Sequence, residues 1–91
     1  MITYDEAKRE ANIAKHSLDL ADAWLVYNAA NKVTLSSPRG DEPRLMDMAL
    51  VELMGVVLAL VYVERGETVR AISLCRASKA ERRLYESAKQ N

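Results

Sequence analysis

Residues 45–63 read Leu45-Met-Asp-Met-Ala-Leu-Val-Glu-Leu-Met-Gly-Val-Val-Leu-Ala-Leu-Val-Tyr-Val63. This stretch fits either a membrane span or a buried β-hairpin. A spanning helix needs about 20 consecutive, largely uncharged apolar residues. The run carries Asp47 and Glu52 and is broken at Gly55. Its first half alternates, with Leu45, Asp47, Ala49 and Val51 on one side of an extended chain and Met46, Met48 and Leu50 on the other. Gly55 marks a turn or bulge. Val56 to Val63 is a continuous β-branched and aliphatic run, the pattern of a strand covered on both faces. The hairpin accounts for the charges and the glycine, so the stretch is read as two strands.

Downstream, Arg65-Gly66-Glu67 reads as a tight connection and Thr68 to Cys75 as the next strand. Ala77 to about Lys89 reads as a charged helix, with Ala80, Leu84 and Ala88 on one stripe and Ser78 as its cap. Upstream, Ser36 to Pro43 is dense in turn formers and reads as an exposed loop, preceded by a strand over Lys32 to Leu35. Asp19 caps a helix with Leu20, Ala23, Trp24 and Tyr27 on one face, ended by Asn28 to Asn31. Asp5 caps an earlier helix, Glu6 to about Lys15, whose Ala7, Ala11 and Ala14 form a small apolar stripe. Ile2 to Tyr4 is a β-prone opening. The predicted order is β-α-α-β-β-β-β-α. The predicted fold is α+β, an antiparallel four-stranded sheet with two N-terminal helices and one C-terminal helix, the helices on one face.

At 91 residues the chain is expected to form a single domain, 1–91. Lys plus Arg and Asp plus Glu are 13 each, which excludes a polycation that binds nucleic acid through bulk charge. The charge is uneven: residues 1–63 hold six basic and nine acidic side chains, residues 64–91 seven and four. The C-terminal part is therefore the better anionic-ligand surface. One cysteine excludes an internal disulfide, and one histidine excludes a multi-His metal site. No cofactor or metal is expected. Residues 1–16 are charged and lack an apolar signal region, so a cytoplasmic protein with no membrane association is expected.

Three constellations carry candidate chemistry. Asn12-x-x-Lys15-His16-Ser17 sits where the first helix ends. A cation there either satisfies terminal carbonyls or serves a site, and His is the side chain whose ordinary pKa lies near neutrality. Arg44, Arg65, Arg70 and Arg76 end or flank strands. Arg70 is expected on the face of Ile72 and Leu74, bridging Glu64 or Glu67 or binding phosphate. The last helix presents Arg82, Arg83 and Tyr85 on a charged segment that reads as solvated or as a basic edge for RNA. Cys75 ends an apolar strand and reads as a small buried hydrophobe, not a nucleophile.

The ordered blocks resemble the BrnT-type toxins of bacterial type II toxin–antitoxin pairs. Tyr4-Asp5-x-x-Lys8-x-x-x-Asn12-x-x-Lys15-His16 is similar to the family's opening, and Leu18-Asp19-Leu20-x-Asp22-Ala23-x-x-Val26-Tyr27 to its second helix. Gly40-Asp-Glu42-x-Arg44 resembles its loop-to-strand element and Val61-Tyr62-x-Glu64-Arg65 its central strand. Val69-Arg70-Ala-Ile72-Ser73-Leu-Cys75-Arg76-Ala77, then Glu81-Arg82-Arg83-Leu84-Tyr85, resembles its closing strand and helix. The chain departs in having Ser17 where the family has Gly, Leu74-Cys75 where it has Ala-Arg, and Pro43 between Glu42 and Arg44.

The resemblance implies a RelE-like fold and a metal-independent endoribonuclease that arrests growth. It also implies a BrnA-like antitoxin as partner, through which alone the protein meets operator DNA. On that reading His16, Lys15, Arg44, Arg70 and Glu64 form the catalytic set, and Arg76, Arg65 and Tyr85 hold the RNA. Two readings compete. One is a catalytically degenerate homologue that keeps the fold as a protein or nucleic-acid binding module; the other is a structural protein.

Overall fold

A computed structural model of the chain describes residues 1–39 and 42–89, with side chains for all of these except 37–39 and 42. The elements are β1 (Ile2–Thr3), α1 (Glu6–His16), a 3₁₀ turn (Leu20–Asp22), α2 (Trp24–Tyr27), β2 (Val33–Arg39), β3 (Glu42–Val51), β4 (Val56–Arg65), β5 (Thr68–Arg76) and α3 (Lys79–Lys89). The 45–63 stretch is a hairpin, turned through Gly55 at φ 69°. Among the described residues no helix is long and apolar enough to cross a membrane.

The sheet has five strands in the order β1-β5-β4-β3-β2, not four. It is also mixed, because β1 runs parallel to β5, pairing Ile2 with Val69 and Thr3 with Arg70. The expectation of an antiparallel four-stranded sheet is corrected on both counts. The physical reason is that β5 has a free edge once β4 has paired its other side, and the N-terminal dipeptide satisfies part of that edge. The Val69 N–H bonds the Met1 carbonyl at 2.9 Å.

The helices cover both faces rather than one. Leu20, Ala23 and Val26 pack with Ala49, Val51, Leu58, Leu60, Tyr62 and Leu74 on one face. On the other, Tyr85 of α3 packs with Met48 and Ala59. Strand alternation compels this, since β3 and β4 carry apolar side chains on both sides and each face needs a cover. Within the N-terminal elements the buried residues step by three, the 3₁₀ period, which sends Val26 inward and leaves Trp24 exposed. In α1 the alanines are exposed and Asn12 is the buried residue.

Strands β2 and β3 extend through much of the expected loop, pairing Pro38 with Pro43 and Arg39 with Glu42. Prolines can face each other where neither N–H is needed by the ladder. The connecting residues Gly40 and Asp41 lie outside the described residues. A bulge interrupts β4–β5: Val61 pairs with Ser73, but Tyr62 pairs with Ala71. Val69, Ala71 and Leu74 therefore all face the N-terminal helices. By alternation Arg70 turns to the opposite face from Leu74, contrary to expectation.

Candidate functional site

The site begins at the sheet edge. Beyond Thr3, β5 has no strand beside it on this edge among the described residues, and Asn12 takes that place. Its Nδ2 donates to the Leu74 carbonyl at 2.8 Å, and its Oδ1 accepts from the Leu74 N–H at 3.0 Å. Nδ2 also donates to the Leu18 carbonyl at 2.8 Å. One buried amide thus completes a strand ladder and ties the chain after α1 to the sheet. Local sequence sets α1's own ends. Asp5 Oδ1 accepts from the Ala7 N–H at 2.8 Å, capping the first turn. Ser17 closes the helix at φ 58°, its N–H bonded to the Ile13 carbonyl. That left-handed conformation is the one for which glycine is suited.

Asn12 holds the last turn of α1 over β5, so that Lys8, Lys15 and His16 line a groove of about 170 Å³ with Ile72 and Ser73. Lys8, Asn12 and Lys15 share one helix face through i, i+4 and i+7 spacing. On the adjoining sheet face Ser73 pairs with Val61 and, two residues along β4, Val63 pairs with Arg70. Leu45 pairs with Tyr62, which puts Arg44 beside Val63 on its other side. Arg44 and Arg70 thus flank Val63 on one face, roughly 10 Å apart across two strand spacings. Two residues further along β4, Arg65 follows on that same face by alternation. This half of the face lies beyond Tyr85, which anchors α3 over Met48 and Ala59.

Asp5 links the two parts. Its Oδ1 caps α1, and its Oδ2 lies 3.7 Å from the Arg70 guanidinium, with both side chains part-exposed. The pair is long and wet, so it orients Arg70 without neutralising it. Asp5, not Glu64 or Glu67, is the partner of Arg70. Among the described residues Lys8, Lys15, His16 and Arg44 have no ion pair. The arrangement is a cationic groove with one imidazole. It suits an anion whose reacting atom needs both charge stabilisation and a proton carrier.

Three other candidates lie elsewhere. Glu64 is exposed on β4 and by alternation projects from the face opposite Arg44 and Arg70. Arg76 lines a separate groove with Arg82 at the far end of β5. Tyr85 is buried, and its hydroxyl accepts from the Leu50 N–H at 3.4 Å, so its ring is packing. Cys75 is half-buried on that same face against Met48, Ala59 and Tyr85, and burial raises its thiol pKa, as expected of a small hydrophobe. Among the described residues no group of three or more His, Cys, Asp or Glu side chains is placed to hold a metal ion.

Sequence reasoning did not assign Lys8, although its helical spacing from Lys15 was available. It also missed a second charged cluster, on the core side. Asp47 is fully buried and accepts from Lys32 Nζ at 2.9 Å, Thr34 Oγ1 at 2.6 Å and the Tyr62 hydroxyl at 3.0 Å. Lys32 Nζ sits 4.3 Å from the centroid of the Tyr27 ring, which meets Tyr62 edge-on at 5.3 Å. Burial and the bond to Asp47 push the Tyr62 phenol well above its ordinary pKa.

Comparison with known proteins gives one family. Residues 4–81 match the sequence model described as a ribonuclease toxin, BrnT, of type II toxin–antitoxin systems. No curated protein matches the chain.

Proposed function

Since the chain belongs to the BrnT family of type II toxin–antitoxin ribonuclease toxins, we propose that it cleaves RNA without a metal at the groove lined by Lys15 and His16, with Arg44 and Arg70 on the adjoining sheet face. The observation that carries this reading is the groove lined by Lys8, Lys15 and a single imidazole, held over β5 by Asn12. A ribose 2′-OH attacks the adjacent phosphorus, which becomes a five-coordinate dianion, and the 5′-oxygen leaves. His16 takes the 2′-OH proton and returns it to the 5′-oxygen as that bond breaks. Lys15 and Lys8 at the helix end, with Arg70 and Arg44 on the sheet, stabilise the charge that develops on the phosphoryl oxygens. Arg65 extends the cationic track along β4 for the neighbouring phosphate. Glu64, on the other face, is left outside the reaction.

The family implies an antitoxin partner. We propose that it is a BrnA-like repressor that brings the toxin to operator DNA, and that the free toxin acts in the cytoplasm and arrests growth. The test is cleavage of single-stranded RNA by purified protein in EDTA, together with growth on expression of the chain alone. Cleavage that survives chelation, and arrest relieved by the antitoxin, are expected. Activity that vanishes in EDTA and returns with Mg²⁺ contradicts the mechanism.

Cys75 supports a second reading. The resemblance implies an arginine there, and here a half-buried thiol packs against Met48, Ala59 and Tyr85 instead. A chain that binds its antitoxin but cleaves no RNA is then a degenerate homologue acting as a binding module.

A further inference from the structure

At the far end of β5 from the cationic groove, the β3–β4 turn and the start of α3 enclose a second groove of about 360 Å³. Leu50, Val57 and Ala77 give it apolar walls, and Arg76, Arg82 and Glu86 rim it. Its frame is fixed. The Met54 and Gly55 N–H groups both bond the Val51 carbonyl, at 3.0 and 2.8 Å, and the Ala77 N–H bonds the Val57 carbonyl at 2.9 Å. Ser78 and Glu81 bond each other's N–H groups reciprocally, a capping box that starts α3. Leu53, at the tip of the turn, is 91 % exposed, while Leu50 and Met54 are each 39 % exposed. A lone exposed leucine is ordinary; Leu53 and Met54 on the turn, with Leu50 at the end of β3, beside a groove mark an interaction surface.

The lining chemistry selects the occupant. Neither Arg76 nor Arg82 has an ion pair among the described residues. The groove lacks an aromatic platform for bases, and its rim includes a carboxylate, both unsuited to a nucleic-acid strand. Apolar anchors flanked by arginine are the composition of a protein interface centre. We propose that this groove docks the antitoxin, through a segment that inserts a large apolar side chain between Leu50 and Val57 and presents carboxylates to Arg76 and Arg82. The proposal rests on the toxin–antitoxin reading and adds where the partner is held. The anchor point lies away from Lys15, His16 and Arg70, so the antitoxin grips one end of the sheet while the cationic groove is a separate surface.

The test compares purified wild type with Leu53→Asp and Arg82→Glu, both at exposed positions that leave the core intact. Affinity for a purified BrnA-like antitoxin is measured by calorimetry, and RNA cleavage is measured on the toxin alone. Each variant should weaken antitoxin binding by about tenfold or more, the double variant by about a hundredfold, with RNA cleavage and thermal midpoint unchanged. Unchanged antitoxin affinity in both variants overturns the proposal. A parallel fall in RNA cleavage also overturns it, because the groove then belongs to the RNA. A wild-type protein that neither binds that antitoxin nor cleaves RNA sinks the toxin–antitoxin reading itself, a result distinct from failure of the variants alone.

Discussion

Asp47 and Arg70 are both charged residues on strands of the same sheet, and the protein treats them in opposite ways. Asp47 is fully buried, and three donors from Lys32, Thr34 and Tyr62 converge on it. Arg70 stays part-exposed, with a single carboxylate 3.7 Å away. A charge taken out of water must have its partners built around it, whereas one left at the surface keeps capacity for a ligand. The Asp47 cluster is already satisfied and holds the segment after α2 to β3 and β4. Among the described residues Arg70 has only a long, part-exposed pair with Asp5. Charge pairing thus separates the part of the molecule that maintains the fold from the part proposed to meet RNA.

The largest way to break this contrast is Asp47→Ala. It strands the Tyr62 hydroxyl and the Lys32 ammonium, and a loss of about 3–5 kcal/mol in urea unfolding is expected. A loss below about 1 kcal/mol would mean that the cluster is no more committed than a surface pair. Asn12→Ala should follow at about 2–3 kcal/mol, since it unsatisfies the buried Leu74 backbone groups and frees the Leu18 carbonyl. It should also slow RNA cleavage, because Asn12 holds the lysine- and histidine-bearing turn; destabilisation with unchanged turnover would separate the edge from the site.

Alkaline titration sharpens the dry side of the comparison. The folded state holds the Tyr62 proton more tightly than the unfolded chain does, because burial and Asp47 disfavour the phenolate. The stability this gives is complete below the ordinary phenol pKa of about 10, and is lost as pH rises above that value toward the folded pKa. The loss should approach about 1.4 kcal/mol per pH unit in that window. Tyr62→Phe should flatten that slope, and identical slopes for the two proteins would remove the assignment. The smallest effect expected is a gain: Ser17→Gly relieves the left-handed backbone at φ 58° and should stabilise by about 0.5–1 kcal/mol in the same unfolding assay. A loss there would show that the serine side chain contributes more than the backbone costs.

What could be read from residues alone was what is decided locally. Asp5, Asp19 and Ser78 cap where expected, because a cap is settled within three residues. The hairpin over 45–63 was legible because alternation and Gly55 both lie within it. The β1–β5 pairing was not, since it joins residues at opposite ends of the chain through only two positions. Asn12 was placed beside an alanine stripe that turned out exposed, because its burial depends on a β5 edge no local pattern reveals. Leu84 was preferred to Tyr85 for a similar reason: the helical stripe gives a period but not which face meets the sheet. Of the proposed site, Lys15, His16, Arg44 and Arg70 were named from residue type, but the face on which Arg70 lies depends on the β5 bulge. Asp47 was read only as a charge that argued against a membrane span, since its donors come from three separate segments.

The central claim is that the groove of Lys15 and His16, with Arg70 beside it, and not the charged helix α3, carries the chemistry. It is tested most directly by single-turnover cleavage of an RNA oligonucleotide in EDTA, at matched amounts of folded protein, with wild type, His16→Ala, Arg70→Ala and Arg82→Ala. The account predicts rates lowered by roughly 10²–10⁴ for His16→Ala and about 10²–10³ for Arg70→Ala, with Arg82→Ala at the wild-type rate. Equal rates for all three variants would contradict it.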